Sequence, residues 1–429
     1  MEIDHFLILL ALNWPWYVLF LVLSTLSLFP FARRFTLSWY DPLRYAVVFA
    51  MLANAIPPFL WVTQQMATEM LIYFILSETA FWLGIATFVR KRAPLSDIGI
   101  HNEEHFVFYF FIVCFTLYVA FTLLSYVMFG IPLFMDKSRL SVFSGSGGFG
   151  ILQRFNNFFS YFVVFYIFHM LHKKTHKTFC YLSIVLVTMF LIFSGSKSKF
   201  LMLLFAYFGY KLFYLGKTPH TSKRIIIYLG VGVLLALFVI SFQVSRQGGE
   251  AFDSVVALIT RFVASGDCYF YAYPNDVYQS VELGNKFQYL FSGLLTSMRL
   301  VSYEDISPSI GVQLTEITRP YLAGENTGPN SRMPILSYLL FGWGGIIFAY
   351  IAGWVTSFCM FRLPRFLPHG IIFGAYMTYL YATFAGNVTD FTMGVSNLFD
   401  ILLNLGFIVV VAYVFTSMTS ASNHKMLGA

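Results

Sequence analysis

Apolar stretches of roughly 17 to 25 residues, the length of helix that crosses a hydrocarbon core, recur from one end of this chain to the other. About eleven can be marked, at 6–30, 45–63, 69–89, 106–130, 155–171, 178–194, 200–216, 225–243, 335–358, 369–386 and 396–415. Only 11% of the 429 residues are charged, where a soluble domain keeps about a quarter, and mean hydropathy is +0.71. The expected fold is all-α, a polytopic membrane protein of about eleven transmembrane helices. The 51 Phe and 27 Tyr suit lipid-facing and interfacial positions and by themselves name no ligand.

The connections between these segments sort by charge. Arg33, Arg34 and Arg44, then Arg90, Lys91 and Arg92, then Lys173, Lys174 and Lys177, then Lys217, Lys223 and Arg224, and finally Arg362 and Arg365 all fall on one side. By the positive-inside rule that side is the cytoplasm, which puts the N-terminus outside and the C-terminus inside. The first apolar segment follows Glu2 and Asp4 rather than a basic region and reads as a retained span, not a signal peptide. The division expected is eight helices in 1–243, an outer loop at 244–334, three helices in 335–415 and a cytoplasmic tail at 416–429.

Two short outer connections break the charge rule. Lys137, Arg139 and Arg154 surround "FMDKSRLSVFSGSGGFGILQR", and Lys197 and Lys199 sit in "SGSKSKF". An anion held at the outer surface would offset that cost, and interfacial snorkelling by long side chains is the other reading. The loop 244–334 is far longer than ordinary links in helix bundles. Within it "AFDSVVALITRFV" (251–263) and "KFQYLFSGLLTSMRLV" (286–301) carry helically spaced apolar residues, so short helices on the outer interface are expected there. Cys268 is the one cysteine in this loop, expected as an exposed thiol, and a single thiol builds no intramolecular disulfide.

Absences narrow the chemistry. The loop has no histidine, which argues against His-ligated zinc and a Ser-His-Asp hydrolase, and no G-x-x-x-x-G-K-[ST] loop indicates ATP. No metal or cofactor is expected, and no nucleic-acid partner. Arginine, lysine, carboxylates and backbone amides remain. They suit the binding of a diphosphate leaving group while a sugar hydroxyl attacks, because a guanidinium meets phosphate oxygens bidentately and stays charged in a dry site. The glycines of "GSGGFG" and "GSKSK" would let the backbone approach phosphates closely.

In this order, "GIPLFMDKSRLSVFSGSGGFGILQRF", "FSGSKSKFL", "SRQGG" and "NTGPNSRMPILSYLLFGWGG" resemble the Wzy-type O-antigen (oligosaccharide repeat unit) polymerases, with similarity also to the enterobacterial common antigen polymerase. The likeness spans nearly the whole chain in order and topology. It implies a GT-C-like inner-membrane glycosyltransferase that joins undecaprenyl-diphosphate-linked oligosaccharides on the periplasmic side, without a metal. The donor and acceptor lipids would be its partners, in membrane lipid, with a chain-length regulator and a flippase as candidate protein partners. Carried onto this chain, Arg139, Arg154, Arg246, Arg261 and Arg332 would grip the diphosphates, and Lys197, Lys199, Arg299 and Arg319 belong to the same set of outer cations. Asn326 and Asn330 join Arg332 in a turn at the start of the ninth span, which a plain helix-start loop would also explain. Asp267 is the first choice of general base, with Glu250 or Glu325 as substitutes; pairing with Arg261 is the structural alternative for Asp267. Two acids lie inside spans. Glu78 reads as a hydrogen-bonded packing residue, and Asp400 is placed to meet an outer arginine. A lipid-linked oligosaccharide flippase and an O-antigen ligase are the rival functions, the first disfavoured by the single asymmetric loop, the second by the loop's lack of histidine.

Overall fold

The computed structural model describes residues 2–89, 103–135, 150–195, 197–217, 223–246, 262, 264–324 and 327–427, and among them there is no β-strand. Most of each marked apolar segment lies on helix in its described part. Among the described residues six helical stretches are long and apolar enough to cross a bilayer, as a polytopic membrane protein requires: Trp14–Phe35, Pro42–Val62, Thr68–Val89, Phe106–Phe134, Met333–Phe366 and Phe391–Val414.

The first marked segment is two helices, α1 (Ile3–Leu12) and α2 (Trp14–Phe35), broken at Asn13. Proline follows at position 15, in the first turn of α2, where its missing N–H costs nothing. The second is α3 (Pro42–Asn54) and α4 (Ile56–Val62). Asp41 caps α3, its Oδ1 accepting from the Leu43 amide at 2.9 Å and from the Tyr381 hydroxyl at 3.0 Å. Then come α5 (Thr68–Val89), α6 (Glu103–Phe129), α7 (Gly150–Lys173), α8 (Lys177–Phe193), α9 (Leu201–Gly209, ending in a π-helical turn at Tyr210–Tyr214) and α10 (Lys223–Arg246).

The connection before the ninth marked segment is described continuously from residue 264 to 324. It holds α11 (Asp267–Ala272), α12 (Lys286–Leu290), α13 (Ser292–Ser297) and α14 (Ile310–Thr318). Asn285 caps α12 and Ser309 caps α14 through their side-chain oxygens. The 286–301 stretch is helical over Lys286–Leu290 and Ser292–Ser297 and leaves the helix at 298–301, whereas 251–261 lies outside the described residues.

The chain closes with α15 (Met333–Phe341), α16 (Gly345–Phe361), α17 (Ile371–Ala385) and α18 (Phe391–Leu427). Gly342, at φ 55° and ψ −135°, separates α15 from α16, a backbone conformation that a side chain would strain.

The most extensive helix crossing is that of α5 with α16. It is glycine-mediated: a Cβ on Gly84 would overlap the Tyr350 carbonyl, and one on Gly353 would overlap the Phe81 carbonyl. Lipid tails are as apolar as leucine, so association inside a bilayer relies on such close backbone contact and on interhelical hydrogen bonds. The Ser357 hydroxyl supplies one, donating to the Ile85 carbonyl at 2.6 Å. Around the crossing α7, α9 and α17 pack together through Phe158, Phe165, Tyr210 and Tyr379.

This crossing predicts that Gly84→Val lowers the thermal midpoint of the detergent-solubilised protein, by an overpacking cost of about 1–3 kcal/mol. Gly406→Ala, where nothing lies within 4 Å of the added carbon, leaves it unchanged. Fluorescence-detected size-exclusion after heating measures both.

Candidate functional site

The stretch "TGPNSRMP" (327–334) turns out to be pinned from several directions. Gly328 and Pro329 lie against Gly311 of α14 so closely that a Cβ on either glycine would overlap the backbone of the other segment. Ser331 is buried and its hydroxyl donates to Asp390 Oδ1 at 3.3 Å. Arg332 follows in extended conformation at the N-cap of α15, with Pro334 in the first turn. Its side chain is only 5% exposed. Among the described residues one hydrogen-bond acceptor reaches it: Nη2 donates to the Ser265 carbonyl at 2.5 Å. A guanidinium carries five N–H donors, and no carboxylate among the described residues comes within ion-pair distance of this one.

Ser265 belongs to the turn Ala264–Gly266, which packs on the α3–α4 corner, where a Cβ on Gly266 would press on Ala53 and Ile56. From there α11 runs inward. Cys268, Tyr269, Phe270 and Ala272 are fully buried, Phe270 stacking on Phe6 of α1 at 4.4 Å and Tyr269 meeting Phe74 of α5 edge-on. The expectation of an exposed Cys268 is thereby corrected. The aromatic run "YFYAY" carries no charge to hold it at the surface, and it drags the neighbouring cysteine into the core. Burial pushes the Cys268 thiol up to about 12, against the pull of the Arg332 amide and charge. The charges of Asp267 and Asp390 act on the same sulfur.

Asp390 is a residue that reading the sequence missed. It caps α18, Oδ1 accepting from the Thr392 amide at 3.0 Å, the Met393 amide at 3.2 Å and the Thr392 hydroxyl at 2.7 Å, besides Ser331. An aspartate just before an apolar run, with threonine two residues on, is a helix-start signal and could have been read as one. Burial raises its carboxyl above the ordinary value, and these hydrogen bonds offset part of that rise.

A second arginine meets the same helix. Arg154, in the first turns of α7, forms an ion pair with Asp400 of α18, and its Nη2 donates to the Ser297 hydroxyl of α13 at 2.7 Å. Asp400 meets an arginine as its position suggested. Asp390 and Asp400 are ten residues apart on one helix, about 15 Å along its axis. Gly293 of α13 packs against Ser396 between them, closely enough that a Cβ would overlap its side chain.

The remaining expected site residues are dispersed or undescribed. Asp267 opens α11, half-buried, with Oδ1 accepting from the Cys268 amide at 3.1 Å. Its charge and that of Arg319 both act on Tyr271, and the Arg319 guanidinium lies 5.3 Å from that ring's centre. Arg299 is exposed at a positive φ of 56°, and Asn330 is exposed. Lys199 is half-buried in the turn Lys197–Phe200 that Lys197 opens, and Arg246 ends α10. Arg139, Glu250, Arg261, Glu325 and Asn326 lie outside the described residues, and with Arg261 goes its pairing to Asp267. Glu78 packs as expected, Oε1 accepting from Asn54 Nδ2 at 2.7 Å and Trp82 Nε1 at 2.8 Å, within range of the Arg332 charge.

The site is therefore a buried cation over a floor of α11, α15 and the start of α18, with a paired cation further along α18. Comparison with protein-family models, with curated proteins and with solved structures gives no match in any of the three.

Two outcomes are expected of this geometry. Asp400→Asn strips the carboxylate from Arg154 and lowers stability by about 1.5–3 kcal/mol, the range of a hydrogen bond to a charged group. A double-mutant cycle with Arg154→Gln in thermal denaturation recovers the coupling. For Asp390, whose folded value is raised above 3.8, the folded state holds the proton more tightly than the unfolded one. Its contribution is present at low pH and lost as pH rises from about the ordinary value through the folded one. Asp390→Asn keeps an oxygen for the cap and removes that loss, so its thermal midpoint gains on wild type as pH rises.

Proposed function

We propose that this chain polymerises undecaprenyl-diphosphate-linked oligosaccharide repeat units at the periplasmic face of a bacterial inner membrane, as an inverting, metal-independent glycosyltransferase with a GT-C-like arrangement of about eleven spans. The motif order of the sequence supports it. From the structure, the observation that carries it is Arg332, a guanidinium buried where an apolar helix begins, with no carboxylate at ion-pair distance and the Ser265 carbonyl as its hydrogen-bond acceptor among the described residues.

In this reading the acceptor sugar's hydroxyl oxygen attacks the anomeric carbon of the donor chain. The bond from that carbon to the diphosphate oxygen breaks, and undecaprenyl diphosphate leaves with the electron pair. Arg332 stabilises the charge that develops on the leaving oxygens, its strength raised by the low dielectric of its surroundings. The hydroxyl proton passes to a carboxylate, for which Asp267 is the choice among described residues, Glu250 and Glu325 being the substitutes. Arg154 holds the rim of the same end of the bundle by fastening α13 to α18. Arg139, Arg246, Arg261, Arg319, Lys197 and Lys199 are the further cations that the motif order of the sequence assigns to binding the lipid-linked substrates.

The test is complementation of a polymerase-deficient strain, read as the lipopolysaccharide ladder with protein level measured in parallel. Arg332→Ala slows turnover on the order of a hundred- to a thousandfold and leaves single repeats on the core, and Asp267→Asn does the same. Normal ladders from Arg332→Ala at normal protein level would remove the reading. With purified enzyme, a chelator of divalent cations leaves the rate unchanged.

A further inference from the structure

On the far ends of two other helices lies a feature that the proposed chemistry does not use. The C-terminal turns of α2 and α5 enclose a groove of about 410 Å³. Its walls are Phe31 and Phe35 on one side and Leu83 and Ala86 on the other, with Arg34 at its edge. The rings form a built floor. Phe31 lies 4.8 Å from Phe35 and 5.5 Å from Trp82 of α5, so the two helices touch through aromatic edges while Ala86 leaves the space beside them open.

Two properties define what fits. The apolar flanks are strongly exposed, Leu26 at 63%, Phe29 at 53% and Leu83 at 55%, as befits side chains against hydrocarbon. At the end of the groove Arg34 is exposed, and among the described residues it has no carboxylate partner or hydrogen bond. A ligand there is a chain of methylenes at one end and an anion at the other. Water fits the second condition only, and an apolar helix the first only.

We propose that this groove binds an anionic glycerophospholipid of the leaflet surrounding these helix ends, one acyl chain lying between Phe31 and Leu83 and the phosphate meeting Arg34. The guanidinium reaches the headgroup level because its aliphatic stem can lie along the apolar wall. Its attraction to an anionic headgroup is that of one basic residue at the membrane surface. The lipid fills the gap that Ala86 leaves and stiffens α2 against α5.

Native mass spectrometry of the full chain, released from detergent and titrated with phosphatidylglycerol, phosphatidylcholine or a polyprenyl monophosphate, tests it. One phosphatidylglycerol is expected to be retained in preference to phosphatidylcholine. Arg34→Ala weakens that retention about fivefold, and Ala86→Phe, which fills the groove, abolishes it. Arg33→Ala, one position away and outside the groove lining, has no effect. Both arginines are exposed, so neither change threatens the fold. Equal retention of phosphatidylcholine, equal loss with Arg33→Ala, displacement of phosphatidylglycerol by the polyprenyl phosphate, or a dimer that Ala86→Phe dissociates would each overturn the proposal. The last two would mean, respectively, a carrier-lipid site and a seam between copies of the chain.

Discussion

A single guanidinium kept almost wholly from solvent, and hydrogen-bonded among the described residues to the Ser265 carbonyl, is the constraint around which this end of the molecule is organised. Removing such a charge from water costs several kcal/mol unless partners replace the lost hydration. Arg332 is held there regardless, by the Gly311–Gly328 contact behind it, the Ser331–Asp390 hydrogen bond beside it and the start of α15 ahead of it. The surrounding structure over-determines its position. A charge so placed in a membrane protein is a functional hypothesis by default, and the diphosphate of the proposed reaction has oxygens that match a planar fork of donors.

The framework that permits this is economical in glycine and serine. The Gly84 and Gly353 contacts bring α5 and α16 together at backbone distance, and α5 also carries Tyr73 and Ser77, whose hydroxyls meet Ser337 of α15 at 2.8 and 3.1 Å. The helix that begins with Arg332 is thereby locked to the helix that presents Glu78. At its other edge the Arg154 link ties α7, α13 and α18 into one unit. The connection between spans is thus fastened at Ser265, Ser297 and Ser331, three serines that no periodicity argument would single out.

How much of this could be read from the sequence differs by element. The apolar runs gave the helices because length and lack of charge suffice in lipid. Their interior breaks at Asn13, Ala55 and Gly342 were not foreseen, since a run reads as apolar whether or not its axis bends. The inward course of α11 escaped notice because in a chain this rich in Phe and Tyr an aromatic run stands out from nothing. Asp400 was legible, being an acid in an otherwise apolar segment, whereas Asp390 sits among the ordinary polar residues of a turn. Arg299 and Arg332 look alike on paper, and only the tertiary structure separates an exposed cation from a buried one.

The central claim is that Arg332 holds a pyrophosphate at the membrane boundary without a metal. Equilibrium binding of a lipid diphosphate to the protein in nanodiscs, in excess chelator, tests it most directly. Wild-type affinity that is insensitive to chelator, with at least a roughly tenfold loss on changing Arg332 to glutamine, is the predicted result. The same affinity in both proteins, or binding that vanishes with the chelator, would contradict it.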